Sequence, residues 1–282
     1  MPSADPVLFD LLVVGLAALA GFIGALVGLG GGAILVPGLV LLLDVPMKTA
    51  VATSLVAVVF TSSAAAMIRG RDAMTNYRVG VLLEVVAGAA SVVGAVTAFL
   101  IDARLLQFIF GGTLLAIAGL SARRLEDHDI SGTPSHPWSA RLALDGVEDQ
   151  PDGPRIYRVQ RVPTGLSIMG VAGAIAGMLG LGAGAVKVLS MDTCMRMPFR
   201  TSTVTSNFMI GATAAAGSLA FLKLGLIDPT IAGPVIVGIV PGAMFGSWFV
   251  VRLRVRVLRL VFLSLVGLVG LQMLHRAVES GT

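Results

Sequence analysis

The sequence predicts an all-α integral membrane protein made of two inverted-topology repeats. Each repeat is a glycine-broken helix hairpin followed by three transmembrane helices. The whole chain then has about eight full spans plus two short re-entrant half-helices. Three observations carry this reading: long uncharged apolar runs, a glycine cluster that occurs twice at matching places, and the distribution of loop charges.

The apolar runs set the class. The chain is 56% hydrophobic and only 13% charged, and its mean hydropathy is +0.92. A soluble domain carries about 25% charged residues. Runs with almost no charge extend from Leu11 to Leu43, Thr49 to Ile68, Val79 to Ile101 and Leu105 to Ala122, with Glu84 alone inside the third. A helical span needs about 20 such residues, whereas a β-barrel needs short alternating segments, which are absent. The net charge of +4 comes from loop Arg and Lys and fits a lipid bilayer, not nucleic acid, as partner. One cysteine, Cys194, excludes an intrachain disulfide, and no metal or redox spacing and no cofactor motif is seen. Residues Met1 to Asp10 lack Lys and Arg, so this end reads as mature sequence entering a first span. The sequence specifies no oligomeric state.

The glycine cluster sets the architecture. Gly28-Leu29-Gly30-Gly31-Gly32-Ala33 returns as Gly180-Leu181-Gly182-Ala183-Gly184-Ala185, 152 residues later. At that offset, without gaps, Pro46 meets Pro198, Lys48 meets Arg200, Thr49 meets Thr201, Thr53 meets Thr205 and Ser54 meets Ser206. Further on, Thr61 meets Thr213, Gly94 meets Gly246, Leu106 meets Leu258 and Phe110 meets Phe262. The chain therefore divides into a first transmembrane repeat (1–122), a polar linker (123–160) and a second repeat (161–282). Pro151-Asp152-Gly153-Pro154 marks a small hairpin in the linker.

Within each half the elements follow one order. A long apolar helix runs into the glycine cluster. A short stretch follows, Ala33 to Leu43 or Ala185 to Met195; at about 16 Å it spans half a bilayer. Three ordinary spans complete each half: Thr49–Ile68, Val79–Ile101 and Leu105–Ala122, then Thr201–Leu222, Thr230–Val251 and Val257–Leu274.

Loop charge orients the halves. Arg69, Arg71 and Arg78 follow the second span of the first half. Arg123, Arg124, Arg155, Arg158 and Arg161 flank the linker. In the second half the basic loops are the opposite ones: Arg196 and Arg200, then Arg252, Arg254, Arg256 and Arg259. These basic loops share a side only if the halves are inverted. That places the linker in the cytoplasm and both termini outside it.

The breaks are the candidate site. Non-helical backbone at membrane depth is tolerated only where it is buried in protein or lines a cavity. A half-helix starting there offers unpaired amides and the positive end of its dipole, which suit a small anion. Gly30, Gly31 and Gly32, with Gly182, Ala183 and Gly184, are the candidate backbone contacts. Close helix packing is the competing reading of these glycines. Lys187 stands three residues after Gly184, where the first half has Leu35. A lysine at that depth costs about 2.5–3.5 kcal/mol. A bound anion would offset this, as would pairing with Asp192 or Glu84, or snorkelling to an interface. Thr53 and Ser54, with Thr205, Ser206 and Asn207, can complete an oxyanion's hydrogen bonds, or they can bond back to their own helices. Lys48 and Arg200 fit either attraction of anions to the two mouths or interface anchoring.

The stretch Gly-Leu-Gly-Gly-Gly-Ala-Ile-Leu-Val-Pro at 28–37, followed by Ala52-Thr53-Ser54-Leu55, resembles the TauE/SafE family of sulfite exporters. Lys187 to Met191 and Thr205-Ser206-Asn207-Phe208-Met209-Ile210-Gly211 are similar to its second repeat. The resemblance implies an inner-membrane carrier, in a bacterium or archaeon, for small sulfur-containing anions such as sulfite, sulfonates or thiosulfate. Ala183 and Leu189 depart from the pattern, standing where the first half has Gly31 and Pro37.

Other classes fit less well. An enzyme would need catalytic groups at depth, yet His128, His136 and His275 lie in the linker or near the C-terminus. A proton- or sodium-coupled carrier for another small organic solute or ion would prefer carboxylates at the breaks. Only Glu84 and Asp192 are candidates for proton coupling.

Overall fold

The computed structural model describes residues 6–27, 30–69, 75–122, 137–150, 153–250 and 255–279. Gly28, Leu29, Arg71, Arg123, Arg124, His128, His136, Pro151, Asp152, Arg252 and Arg254, which the sequence reading uses, lie outside those residues. The helices are α1 (Pro6–Val27), α2 (Gly32–Leu42), α3 (Met47–Arg69), α4 (Tyr77–Leu100) and α5 (Ala103–Ala122). The linker holds α6 (Pro137–Leu142) and the antiparallel strands β1 (Gly146–Gln150) and β2 (Gly153–Tyr157). Then come α7 (Val162–Leu179), α8 (Gly184–Leu189), α9 (Phe199–Lys223), α10 (Pro229–Val250) and α11 (Val255–Glu279).

Among the described residues, six helices are long and apolar enough to cross a membrane by length and composition: α1, α3, α4, α7, α9 and α10. The α2 helix and Ala103–Gly119 of α5 are shorter apolar helices. This is an all-α membrane protein with, among the described residues, one small hairpin. The hairpin pairs Gln150 with Gly153, at the place where the sequence marks a turn.

Helix boundaries keep the sequence spacing. Gly32 and Gly184 both open helices, as do Met47 and Phe199, Tyr77 and Pro229, and Ala103 and Val255, each pair 152 residues apart. The local chemistry recurs with them. Asn76 caps α4 by accepting a hydrogen bond from Val79 N at 3.1 Å. At the equivalent place Asp228 accepts from Thr230 N at 2.9 Å, with Pro229 in the first helical position of α10. The short elements also end alike. Asp44 and Arg196 are left-handed, at φ 51° and 53°. Val45 N bonds Leu39 O at 3.0 Å and Met197 N bonds Met191 O at 2.9 Å, each reaching six residues back to close the end of its short element.

One element departs from expectation. The second short stretch is not a single half-helix. After six residues α8 widens into a π-helical turn, Ser190–Cys194, in which Met195 N bonds Ser190 O at 3.1 Å. Thr193 Oγ1 donates to Leu189 O at 2.6 Å and so occupies an acceptor of the ordinary helical ladder. The first stretch stays α-helical across Pro37.

Glycines set the packing across the halves. α1 lies along α10, and α4 lies along α7. A β-carbon at Gly21 would strike the backbone of Ile239, and one at Gly173 that of Ala87. One at Gly246 would strike Phe22, and one at Gly94 would strike Ala174. Small residues here let backbones touch, which is how helices associate where apolar burial gives no advantage over lipid. α3 packs on α9 and α5 on α11.

The linker is more than polar chain. Leu144, Tyr157 and Val159 are buried in a cluster with Val79, Leu83, Met169, Met191, Met195, Met197 and Met209. Asn76 holds it in place: its Nδ2 donates to Leu144 O at 2.8 Å and to Tyr157 Oη at 2.9 Å. Asp145 Oδ1 accepts from Ser139 Oγ and from Val159 N, closing the linker on itself.

Candidate functional site

The two glycine breaks touch. Gly30 and Gly31 have φ of 75° and 82°, a left-handed bend that α2 needs to start where α1 has stopped. Gly32 then lies against the backbone of Gly180, and a β-carbon there would also fall 2.8 Å from Ser54 Oγ. Gly180, at φ 70°, ends α7. Ser54 Oγ donates to Gly180 O at 2.8 Å. Three elements, the start of α2, the middle of α3 and the end of α7, therefore meet at one buried point. Only glycine fits at Gly32, because the space for a side chain is filled by another backbone.

The second break is built on the same plan with different residues. Ala183 takes the left-handed bend of Gly31, at φ 46°, and precedes α8. An L-residue pays about 1–2 kcal/mol for that conformation. Ser206 Oγ donates to Gly184 O at 3.1 Å. Thr205 Oγ1 accepts from Asn76 N at 3.2 Å, which ties α9 to the cap of α4. Thr53 is fully buried, and its Oγ1 has no partner among the described residues. Gly182 is buried, and Asn207 is partly exposed.

Lys187 is the largest departure from a simple anion pocket. It is fully buried, and its Nζ lies 3.3 Å from Glu84 Oε2. It also donates to Met209 O at 3.3 Å and to Thr213 Oγ1. Thr213 Oγ1 in turn donates to Glu84 Oε1 at 2.6 Å. Ser91 Oγ donates to Thr213 O at 3.0 Å and braces the same point from α4. Of the sequence readings of Lys187, this geometry is the pairing with Glu84. The carboxylate, the hydroxyl and a carbonyl together offset the cost of an ammonium at depth.

Thr213 is a functional candidate that the site reading passed over, and Glu84, read there as a partner of Lys187 or a proton-coupling group, joins it. The available signal for Glu84 was its standing as the one charge in a 23-residue apolar run, Val79 to Ile101. Nothing local marks Thr213, because its equivalent Thr61 simply bonds back to Ala57 O at 2.9 Å. At the 152-residue offset, the positions equivalent to Lys187 and Glu84 hold Leu35 and Ile236. The charged pair belongs to one break alone.

Lys48 reads as an anchor. Its Nζ donates to Phe99 O at 2.6 Å and lies 5.5 Å from the Phe99 ring centre. Nearby, Asp44 Oδ1 accepts from Arg276 at 2.6 Å.

Curated relatives match nearly the whole chain. A probable membrane transporter protein of Bacillus subtilis, YunE, is 25% identical over 96% of this chain and 99% of its own length. A second from that bacterium, YdhB, is 24% identical over 85% of this chain and 89% of its own. A probable membrane transporter protein of Xylella fastidiosa is 26% identical over 86% of this chain and 85% of its own. No solved structure matches. The family model for the sulfite exporter TauE/SafE matches residues 13–273, so the chain belongs to that family of membrane transporters.

Proposed function

We propose that this chain is a secondary transporter that exports small sulfur-containing anions, such as sulfite, sulfonates or thiosulfate, across the inner membrane of a bacterium or archaeon. The observation that carries the reading is the meeting of the two breaks, with Gly32 against Gly180 and Ser54 bonded to Gly180 O. Non-helical backbone at depth is tolerated where it is buried in protein or lines a cavity, and transporter sites are built on paired breaks of this kind. The candidate substrate contacts remain Gly30, Gly31, Gly32, Thr53, Ser54, Gly182, Ala183, Gly184, Lys187, Thr205, Ser206 and Asn207.

The two halves are read as inverted repeats that rock around this centre. In support, the same helix starts, caps and glycine contacts recur at one offset, and α1–α10 answers α7–α4. In this reading α5 and α11 are the remaining spans. The basic loops put the linker in the cytoplasm and the termini outside. Cysteines placed in residues 123–136 should label only from the cytoplasmic side.

The test of substrate is a binding screen on purified protein with sulfite, thiosulfate, sulfate, sulfonates and simple carboxylates. Sulfur oxyanions should bind, and Lys187→Met should abolish that binding. Binding and flux unchanged in Lys187→Met would remove the lysine from the site. Glu84 beside Lys187 favours a second reading, a proton-coupled carrier for another small organic solute. Binding of carboxylates alone in the same screen would select it.

A further inference from the structure

We infer that Glu84 is a built-in counter-ion that an anionic substrate must displace from Lys187, and that a proton taken up by Glu84 makes the exchange possible. The inference rests on the anion-transport reading above and adds how that site is coupled.

Lys187 is fully buried and Glu84 nearly so, with a side chain 13% exposed. Ionised, the two sum to zero. A monoanion brought to Lys187 would leave a net negative charge in a medium that solvates it poorly, beside a carboxylate of the same sign. Protonating Glu84 restores neutrality and turns it into a hydrogen-bond donor.

The surroundings suit the exchange. Thr213 Oγ1 touches both charged groups. A hydroxyl can give its proton to an ionised Glu84 or accept one from a neutral Glu84. Lys187 also keeps Met209 O as a fixed acceptor.

Among the described residues no other titratable group faces Glu84. α7, packed along α4, contains none. α9 carries only Arg200 in its first turn and Lys223 at its end, each more than two turns from Thr213. α8 carries only Lys187, and Asp192 follows it in the π-turn. On α4 itself, Tyr77 and Arg78 stand about two turns before Glu84.

The equivalent positions, Leu35 and Ile236, have no charge to balance. One proton per turnover therefore follows, although the chain is duplicated.

The experiment measures methanesulfonate binding to the purified full chain from pH 5 to 9 at constant ionic strength. This anion does not itself titrate in that range. Affinity should fall about tenfold per pH unit on the alkaline limb, the slope of a one-proton linkage. Calorimetry in two buffers of different ionisation enthalpy should show about one proton taken up per anion bound by the wild-type protein. Glu84→Gln should bind with a flat pH profile and no uptake, and Asp192→Asn should keep the slope. Binding without proton uptake and with a flat wild-type profile would overturn the exchange and leave the anion reading standing. A slope that survives in Glu84→Gln, or vanishes in Asp192→Asn, would also overturn it. No binding of methanesulfonate or of any screened sulfur oxyanion at any pH would remove the anion reading, and this inference with it.

Discussion

Lys187 Nζ lies 3.3 Å from Glu84 Oε2, and the contact joins the second glycine-broken element to a helix of the first half. The two residues are 103 positions apart in the chain. Each would be costly alone at that depth. Together they form a buried pair whose value depends on both members being present.

That dependence gives the first prediction. Lys187→Leu alone should destabilise the protein by about 3–5 kcal/mol, because it leaves Glu84 without its cation. The double change Glu84→Ile with Lys187→Leu installs the residues of the equivalent positions and should recover most of the loss. Unfolding of the detergent-purified single and double variants measures this. A double variant as unstable as the single one would show that the pair does not act as a unit.

The junction of the breaks gives the second. Ser54→Ala removes the hydrogen bond to Gly180 O and should cost about 1 kcal/mol. Ser206→Ala removes the bond to Gly184 O and should cost a similar amount. If neither variant lowers the unfolding midpoint, the serines do not support the breaks.

Ala183 gives the third. It holds φ 46°, where glycine is at ease. Ala183→Gly should raise stability by about 1 kcal/mol. Gly31→Ala, at φ 82°, should lower it, because a β-carbon there would also fall 2.9 Å from Ala20 O. Opposite shifts in the unfolding midpoint are the expected result.

The fourth concerns pH at the membrane surface. Hydrogen bonds from Thr230 Oγ1 and Thr230 N hold the exposed Asp228 carboxyl below its ordinary value of 3.8. A carboxyl with a lowered folded-state value stabilises above its unfolded value and loses that stabilisation as pH falls through the folded one. The gap in unfolding midpoint between wild type and Asp228→Ala should therefore be constant near neutral pH. It should close only as acid is taken below pH 3.8. A gap that closes near neutrality would rule out this carboxyl as the cap.

Much of the framework was legible from residue order. The 152-residue offset of the two glycine clusters returns in the paired helix starts Gly32 and Gly184, and Met47 and Phe199. Pro151-Asp152-Gly153-Pro154 marks the hairpin that β1 and β2 make. The docking of Leu144, Tyr157 and Val159 was not legible. They stand in a charged stretch beside Asp145, Arg158 and Gln160, and their burial came from Asn76 and a group of methionines elsewhere in the chain.

The sequence by itself determined the membrane class, the doubled glycine pattern and the one lysine set beside a break. Each follows from local composition and spacing, which act through hydration and backbone freedom alone. Tertiary structure decided what those features face. It brought Gly32 onto Gly180, set Ser54 between them and placed Glu84 and Thr213 on Lys187. A charge at depth must find a partner, but which one it finds depends on how helices distant in sequence pack. That packing is set by the backbone contacts of α4 with α7 and by the side chains that seat α4 on α9, which no local pattern encodes.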